Sequence, residues 1–108
     1  MRTLAHELKF DGVNVNAVCP GWVRTPMFDQ SADEAAGSGE DLDAFAAMTM
    51  IDRLIEPEEV TDAVVWMASQ AARTITAVAL PVDGGLLESR AWPETDEDRA
   101  LRNRKPGR

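Results

Sequence analysis

The sequence predicts an α/β fold in which two parallel strands are joined through a helix, and three stretches of the chain indicate it. Residues 13–19, V-N-V-N-A-V-C, alternate between two faces as a pleated strand does. Residues 75–82 are apolar on both faces except at Thr76, which is typical of a parallel strand covered on both sides. Between them, residues 57–69 have the apolar spacing of an amphipathic helix. A strand, a helix and a second strand in this order form a β-α-β crossover.

The chain begins with a short helical pattern over residues 2–9, whose leucines and alanine share one face. Two turns of helix are too short to persist alone, so we interpret this stretch as the tail of a longer helix. Gly12 is the expected C-cap, because glycine readily adopts the left-handed backbone that ends many helices. The first strand follows over residues 13–19, and Pro20-Gly21 ends it and turns the chain.

The region after this turn is first polar and then helical. Residues 29–41 combine glycine, serine and acidic side chains, which predicts a mobile loop. Residues 42–50 place apolar side chains at helical spacing, which predicts a short helix.

The helix that begins at Pro57 is the element that the sequence specifies best. Proline suits a first helical position because its missing N–H would be unpaired there. Glu58 and Glu59 then lie at the positive end of the helix dipole. We expect the helix to end near Ser69 and to bury a stripe formed by Val60, Ala63, Val64, Met67 and Ala68.

The chain changes character beyond Leu87. Residues 88–108 are strongly charged, and we expect a flexible C-terminal extension there. Thr95 can cap a short helix, with acidic residues in its first turn and arginines in its last. A flexible tail or a surface helix is favoured over an interaction arm.

Composition bounds the possible functions. A chain of 108 residues forms one domain at most, and its net charge of −8 argues against nucleic acid or an acidic membrane surface as a partner. The single cysteine, Cys19, excludes an internal disulfide and fits a reducing compartment. No apolar run approaches ~18 residues and no signal-peptide core is present, so we predict a cytoplasmic protein without a membrane span. The sequence contains no metal-ligand set.

Four motifs resemble one family of enzymes. Residues 14–27, N-V-N-A-V-C-P-G-W-V-R-T-P-M, resemble the segment after the catalytic helix of the short-chain dehydrogenases/reductases. Three further stretches of this chain resemble motifs of that family. They are L-A-H-E-L from residue 4, E-P-E-E-V from residue 56, and residues 75–85, which begin with I-T and end with V-D-G-G. Their order over residues 2–87 makes the resemblance specific. It implies a partial Rossmann-like, doubly wound fold with its last two parallel strands, a crossover helix and the end of the catalytic helix.

The resemblance also implies a cofactor site in the turn after the first strand. It places contacts with the nicotinamide of NAD or NADP at Pro20, Gly21, Val23 and Thr25. The backbone of Val23 and the hydroxyl of Thr25 would hydrogen-bond the carboxamide. A plain strand-terminating turn with an incidental threonine is the alternative.

Residues 26–52 correspond to the lid that covers a small carbonyl or alcohol substrate in this family. The resemblance implies that five residues line the substrate pocket: Trp22, Met27, Phe28, Phe45 and Met48. Ordinary core packing is the alternative, and the residues alone leave both open.

The resemblance implies NAD(P)-dependent hydride transfer, but it covers only the C-terminal part of the family's domain, which corresponds to residues 1–87. The glycine-rich cofactor turn and the Tyr-x-x-x-Lys pair are absent, and the sequence contains no tyrosine. We therefore assign no catalytic residue and expect a C-terminal fragment that is inactive alone. The alternative is a non-catalytic module that associates, with itself or with a full-length relative, through residues 57–82, where Val65 and Trp66 lie off the main stripe.

Overall fold

The computed structural model describes residues 1–30, 42–91 and 95–104. The elements within these ranges, in chain order, are α1 (Arg2–Glu7), β1 (Ala17–Pro20), α2 (Leu42–Ala47), α3 (Pro57–Met67), β2 (Ala79–Val82), α4 (Leu86–Ala91) and α5 (Asp96–Arg102). Residues 26–30 are also helical, and a turn of 3₁₀ helix follows α3 at Gln70–Ala72. The predicted loop at residues 29–41 is wrong for residues 29 and 30, which are helical, and otherwise lies outside the described residues.

The two strands pair in parallel, which confirms the predicted α/β arrangement. Their register runs from Ala17 opposite Ala79 to Pro20 opposite Val82. Helix α3 lies between them in sequence and contacts both strands. Each strand is shorter than predicted, because the expected strands at residues 13–19 and 75–82 become regular only near their carboxyl ends.

Side-chain hydrogen bonds supplement the backbone pairing where the predicted strands are not regular. The side-chain amide of Asn14 donates to the carbonyl of Arg73 at 2.9 Å, and that of Asn16 donates to the carbonyl of Ile75 at 2.9 Å. Ala77 adopts a φ of 60°, which is the left-handed region and bends the chain just before β2. The two segments therefore lie side by side and share a backbone bond from the N–H of Ala77 to the carbonyl of Val15 at 2.8 Å, but they do not form a regular ladder.

Helix α3 begins as predicted and ends two residues early, but its stripe is not buried. Pro57 lies in its first turn, and the backbone N–H of Glu56 donates to the carboxylate of Glu59 at 2.9 Å. No residue of α3 is fully buried, and Val64 remains 49% exposed. The predicted burial is wrong for the chain as described, because two strands offer too little surface to cover a helix of this length.

The remaining expectations concern the chain ends. Helix α1 is capped by Leu8 rather than by Gly12, which instead adopts a φ of 70° in the turn that follows. Thr95 caps α5 as predicted, and its hydroxyl accepts a hydrogen bond from the N–H of Asp98 at 3.1 Å. Helix α4 spans residue 87, where the sequence predicted the extension to begin.

Within the described ranges, no helix is long and apolar enough to cross a membrane.

Candidate functional site

The candidate site is built on the β1 loop, which we define as residues 21–25. This loop leaves the carboxyl end of β1, where α/β sheets place their ligands. The N–H of Gly21 donates to the carbonyl of Val82 at 3.0 Å. A Cβ atom at Gly21 would lie only 2.8 Å from the Cα of Asp83, so the loop can pass the end of β2 only with glycine at this position.

Ile55 braces the β1 loop from one side. Its N–H donates to the carbonyl of Trp22 at 2.9 Å, and its carbonyl accepts from the N–H of Arg24 at 2.8 Å, so that it pairs with Val23 as a parallel bridge. Ile55 is only 2% exposed, which anchors the brace in the interior. Because successive peptide groups of an extended segment point to opposite sides, the N–H and carbonyl of Val23 face away from the brace. Within the described part of the chain, the N–H of Val23 has no hydrogen-bond partner.

Thr25 ends the loop and starts the helical residues 26–30. Its hydroxyl oxygen accepts from the N–H of Phe28 at 3.2 Å, and its carbonyl accepts from the N–H of Asp29 at 2.9 Å. This is the hydrogen bonding of a helix N-cap. A threonine hydroxyl has one proton and two lone pairs, so this bond leaves the proton available for donation.

Two ion pairs lie at the start of α3, and sequence reasoning missed both: one joins it to the β1 loop, and the other joins it to the segment that precedes the helix. Arg24 contacts Glu56 with 3.1 Å between Nε and Oε1, and Arg53 binds both carboxylate oxygens of Glu59 at 2.7 Å. The hydrogen bond from Arg53, together with the one from the N–H of Glu56, lowers the pKa of Glu59 from 4.5 to about 2. The capping-box spacing of the two glutamates was a signal that could have revealed part of this network.

Three of the five predicted lid residues form one aromatic cluster. The ring centroid of Phe45 lies 5.1 Å from that of Trp22 and 5.3 Å from that of Phe28, and the latter two centroids are 6.0 Å apart. The rings meet at steep angles, as aromatic pairs prefer. Met27 is 76% exposed and Met48 is 44% exposed. The structure therefore unites the aromatic lid residues and leaves both methionines largely open to solvent.

The lid segment is also tied to the turn after β2, which sequence reasoning did not anticipate. Helix α2 ends at Ala47, three residues earlier than predicted, because the buried hydroxyl of Thr49 lies 2.9 Å from the carbonyl of Ala46. The N–H of Met50 donates to the carbonyl of Gly84 at 2.8 Å, and the hydroxyl of Ser89 donates to the carbonyl of Met48. These bonds tie the residues that follow α2 to the turn after β2, while Phe45 of α2 contacts Trp22 of the β1 loop.

Comparison with known proteins identifies the family. A family described as Enoyl-(Acyl carrier protein) reductase matches residues 1–87. The chain belongs to the short-chain dehydrogenases/reductases. It is 40% identical over 85 residues to the short-chain reductase protein NovJ of Streptomyces niveus. The aligned stretch covers 78% of this chain and 32% of that protein. It is 39% identical over 84 residues to a 2,5-dichloro-2,5-cyclohexadiene-1,4-diol dehydrogenase of Sphingobium indicum, or 78% of this chain and 32% of that enzyme.

Solved structures of this family share the fold. The actinorhodin polyketide ketoreductase crystallised with NADPH superposes with a TM-score of 0.70 at 38% identity, over 79% of this chain and 34% of that one. The match confirms the predicted Rossmann-like fold over part of its length. The chain spans about a third of the length of these relatives and corresponds to the C-terminal part of the enzymes.

Proposed function

We propose that this chain forms the nicotinamide-side and substrate-covering part of an enzyme that transfers hydride between NAD(P) and a carbonyl or alcohol. Its family is one of oxidoreductases, and a related ketoreductase was crystallised with NADPH. The relatives include both a reductase and a dehydrogenase by name, so the proposal covers both directions of hydride transfer.

The observation that supports this proposal most directly is the orientation of the Val23 peptide. Ile55 occupies one side of the β1 loop, and the N–H of Val23, which has no partner among the described residues, faces the other. A nicotinamide carboxamide has an oxygen that accepts from such an N–H, and its amino group or oxygen can pair with the hydroxyl of Thr25. Pro20 and Gly21 would hold the ring face against the strand end. When bound, NAD(P) supplies or accepts the hydride, and the loop fixes the position of the ring.

Proton transfer requires a group that this chain does not offer at the family's position. The family uses a tyrosine beside a lysine, and the sequence contains no tyrosine. Carbonyl reduction without a positioned acid loses a contribution of about 10²–10⁴ in rate. We therefore expect the 108-residue chain to be inactive alone and to require the remaining part of the domain for activity.

A chimaera tests the proposed role. Residues 1–87 would replace the matching third of the actinorhodin ketoreductase, and NADPH affinity and turnover would be measured. Thr25→Val removes the helix cap and the proton donor together, Thr25→Asp retains a cap acceptor without the hydroxyl proton at neutral pH, and Thr25→Ser retains both. We expect NADPH binding to weaken about five- to tenfold in the first two variants and to be preserved in the third. Equal NADPH binding by all three variants would contradict the proposal.

A second candidate function is association through residues 57–82 without catalysis. The exposure of Val64, Val65 and Trp66 on α3 favours it. Titration of the isolated chain separates the two candidates. NADPH binding without a partner supports the cofactor role, whereas concentration-dependent association without NADPH binding supports the interaction module.

A further inference from the structure

Helix α4 contacts the lid segment, although only its first two residues lie within the stretch that matches the family. Ser89, near the middle of α4, donates its hydroxyl proton to the carbonyl of Met48, 41 positions earlier in the chain. Met48 is one of the predicted lid residues, and Ser89 belongs to the region for which the sequence predicted a flexible extension. This bond therefore connects the C-terminal extension to the lid.

Backbone contacts seat the same part of the lid on the turn before α4. The N–H groups of Met50 and Ile51 both donate to the carbonyl of Gly84, at 2.8 and 3.4 Å. A Cβ atom at Gly84 would lie 2.8 Å from the side chain of Ile51, and one at Gly85 would lie 2.9 Å from that of Met50. Glycine at both positions lets the two segments approach closely. Residues 48–51, which we call the lid end, therefore have a fitted seat on this turn.

Asp83 fixes the start of α4 and thereby the position of Ser89. Its carboxylate accepts hydrogen bonds from the N–H of Gly85 at 2.9 Å and from that of Leu87 at 3.1 Å. The N–H of Ser89 donates in turn to the carbonyl of Gly85 at 2.8 Å. The backbone of Asp83 also lies against Gly21 of the β1 loop. Helix α4 is therefore held at the same end of the sheet as the proposed cofactor loop.

The hydroxyl of Ser89 has one proton and two acceptors within reach. Besides the carbonyl of Met48, it contacts the carbonyl of Leu86 in its own helix at 3.0 Å. If the lid end moves away, the proton can be donated to Leu86, as serine hydroxyls in helices often do. The carbonyl of Met48, a residue that is 44% exposed, can then accept from water. Neither state leaves a buried polar group unpaired, so the bond can break and form again at small cost.

We propose that Ser89 is a positioning residue of the substrate lid, whose hydroxyl holds the lid end on the turn after β2. This inference rests on the proposed function, since it assigns the position of that lid to a residue beyond the stretch that matches the family. Phe45 of α2 lies three residues before Met48 and contacts Trp22, so the position of the lid end bears on the aromatic cluster. One such hydrogen bond shifts the equilibrium between a seated and a detached lid end about fivefold.

Amide hydrogen exchange of the whole 108-residue chain, followed by NMR, tests this role without cofactor or substrate. The probe is the N–H of Met50, which donates to Gly84 from the lid end. Ser89→Ala removes the hydroxyl, and Ser89→Thr keeps it. Ser69→Ala is the matched control, because the hydroxyl of Ser69 donates to the carbonyl of Trp66, three residues earlier, at 2.6 Å. That variant loses a bond within one turn and no bond to the lid.

We expect exchange at Met50 to be about fivefold faster in Ser89→Ala and unchanged in Ser89→Thr and Ser69→Ala. The N–H of Ile55, which donates to the β1 loop, is the internal reference and should exchange equally in all four proteins. Equal acceleration at Met50 and Ile55 in Ser89→Ala would reveal a general loss of stability and overturn the proposal. Unchanged exchange at Met50 in Ser89→Ala, equal acceleration in Ser89→Thr, or an unprotected N–H of Met50 in the original chain would overturn it as well.

A kinetic measurement connects this contact to the substrate. In the ketoreductase chimaera, extended to residue 91 so that it includes α4, Ser89→Ala should raise KM for the carbonyl substrate about fivefold and leave NADPH affinity unchanged. Weaker NADPH binding with an unchanged KM would contradict a role at the lid. The exchange measurement contains no cofactor and is independent of the NADPH assay on Thr25, so either test can fail while the other succeeds.

Discussion

Replacing Gly21 by alanine tests how closely the β1 loop is packed on the end of β2. The new Cβ would lie 2.8 Å from the Cα of Asp83 and 3.2 Å from its carbonyl oxygen, and both atoms belong to the backbone. Asp83 cannot easily retreat, because its carboxylate accepts hydrogen bonds from the N–H of Gly85 at 2.9 Å and from that of Leu87 at 3.1 Å. Overpacking against a fixed backbone costs about 1–3 kcal/mol, and we expect a value of about 2–3 kcal/mol here.

Gly12→Ala is the matched control. Gly12 has a φ of 70°, and a Cβ there would meet nothing within 4 Å, so the substitution introduces backbone strain without a clash. That strain is about 1 kcal/mol. Urea unfolding followed by far-ultraviolet circular dichroism would give both free energies of unfolding under the same conditions. If Gly21→Ala is no more destabilising than Gly12→Ala, the close approach between the loop and Asp83 does not exist in solution.

Two further substitutions probe the ion pair at α3 and the bend before β2. The carboxyl of Glu59 has a pKa of about 2 in the folded chain against an ordinary 4.5, so its stabilising contribution is complete above pH 4.5 and is lost as the pH falls toward 2. Glu59→Gln should therefore weaken the dependence of the melting temperature on pH between pH 4.5 and about pH 2. If the melting temperature falls with pH as steeply in this variant as in the original chain, the low pKa of Glu59 is refuted. Ala77→Gly should raise the free energy of unfolding by about 0.5–1 kcal/mol, because relief of the strain at a φ of 60° exceeds the added chain entropy. Ala79→Gly, inside β2, should lower the free energy of unfolding by about the same amount. If both variants lose stability, Ala77 does not have a left-handed backbone in solution.

The sequence predicted the parts of the fold that depend on local rules. Pro57 with two following glutamates marked the start of α3, and Thr95 marked the start of α5, because capping and helix-dipole preferences involve residues within one turn. The parallel pairing of the two strands also followed from apolar patterning. Strand length was overestimated, because a pattern of period two does not report the left-handed backbone of Ala77 or the side-chain bonds made by Asn14 and Asn16.

Contacts between distant residues decided the rest of the site. Residues 20–25 were identified as a ligand-facing turn from sequence, but the brace that orients Val23 comes from Ile55, more than thirty positions along the chain. The aromatic cluster likewise unites Trp22 with Phe45, and the buried indole N–H of Trp22 has no hydrogen-bond partner among the described residues. The sequence, through its resemblance to the short-chain dehydrogenases/reductases, therefore predicted which residues could contact a nicotinamide and a substrate. Tertiary packing decided which backbone and side-chain groups are left without partners, since a group's hydrogen bonds depend on every segment that folds against it.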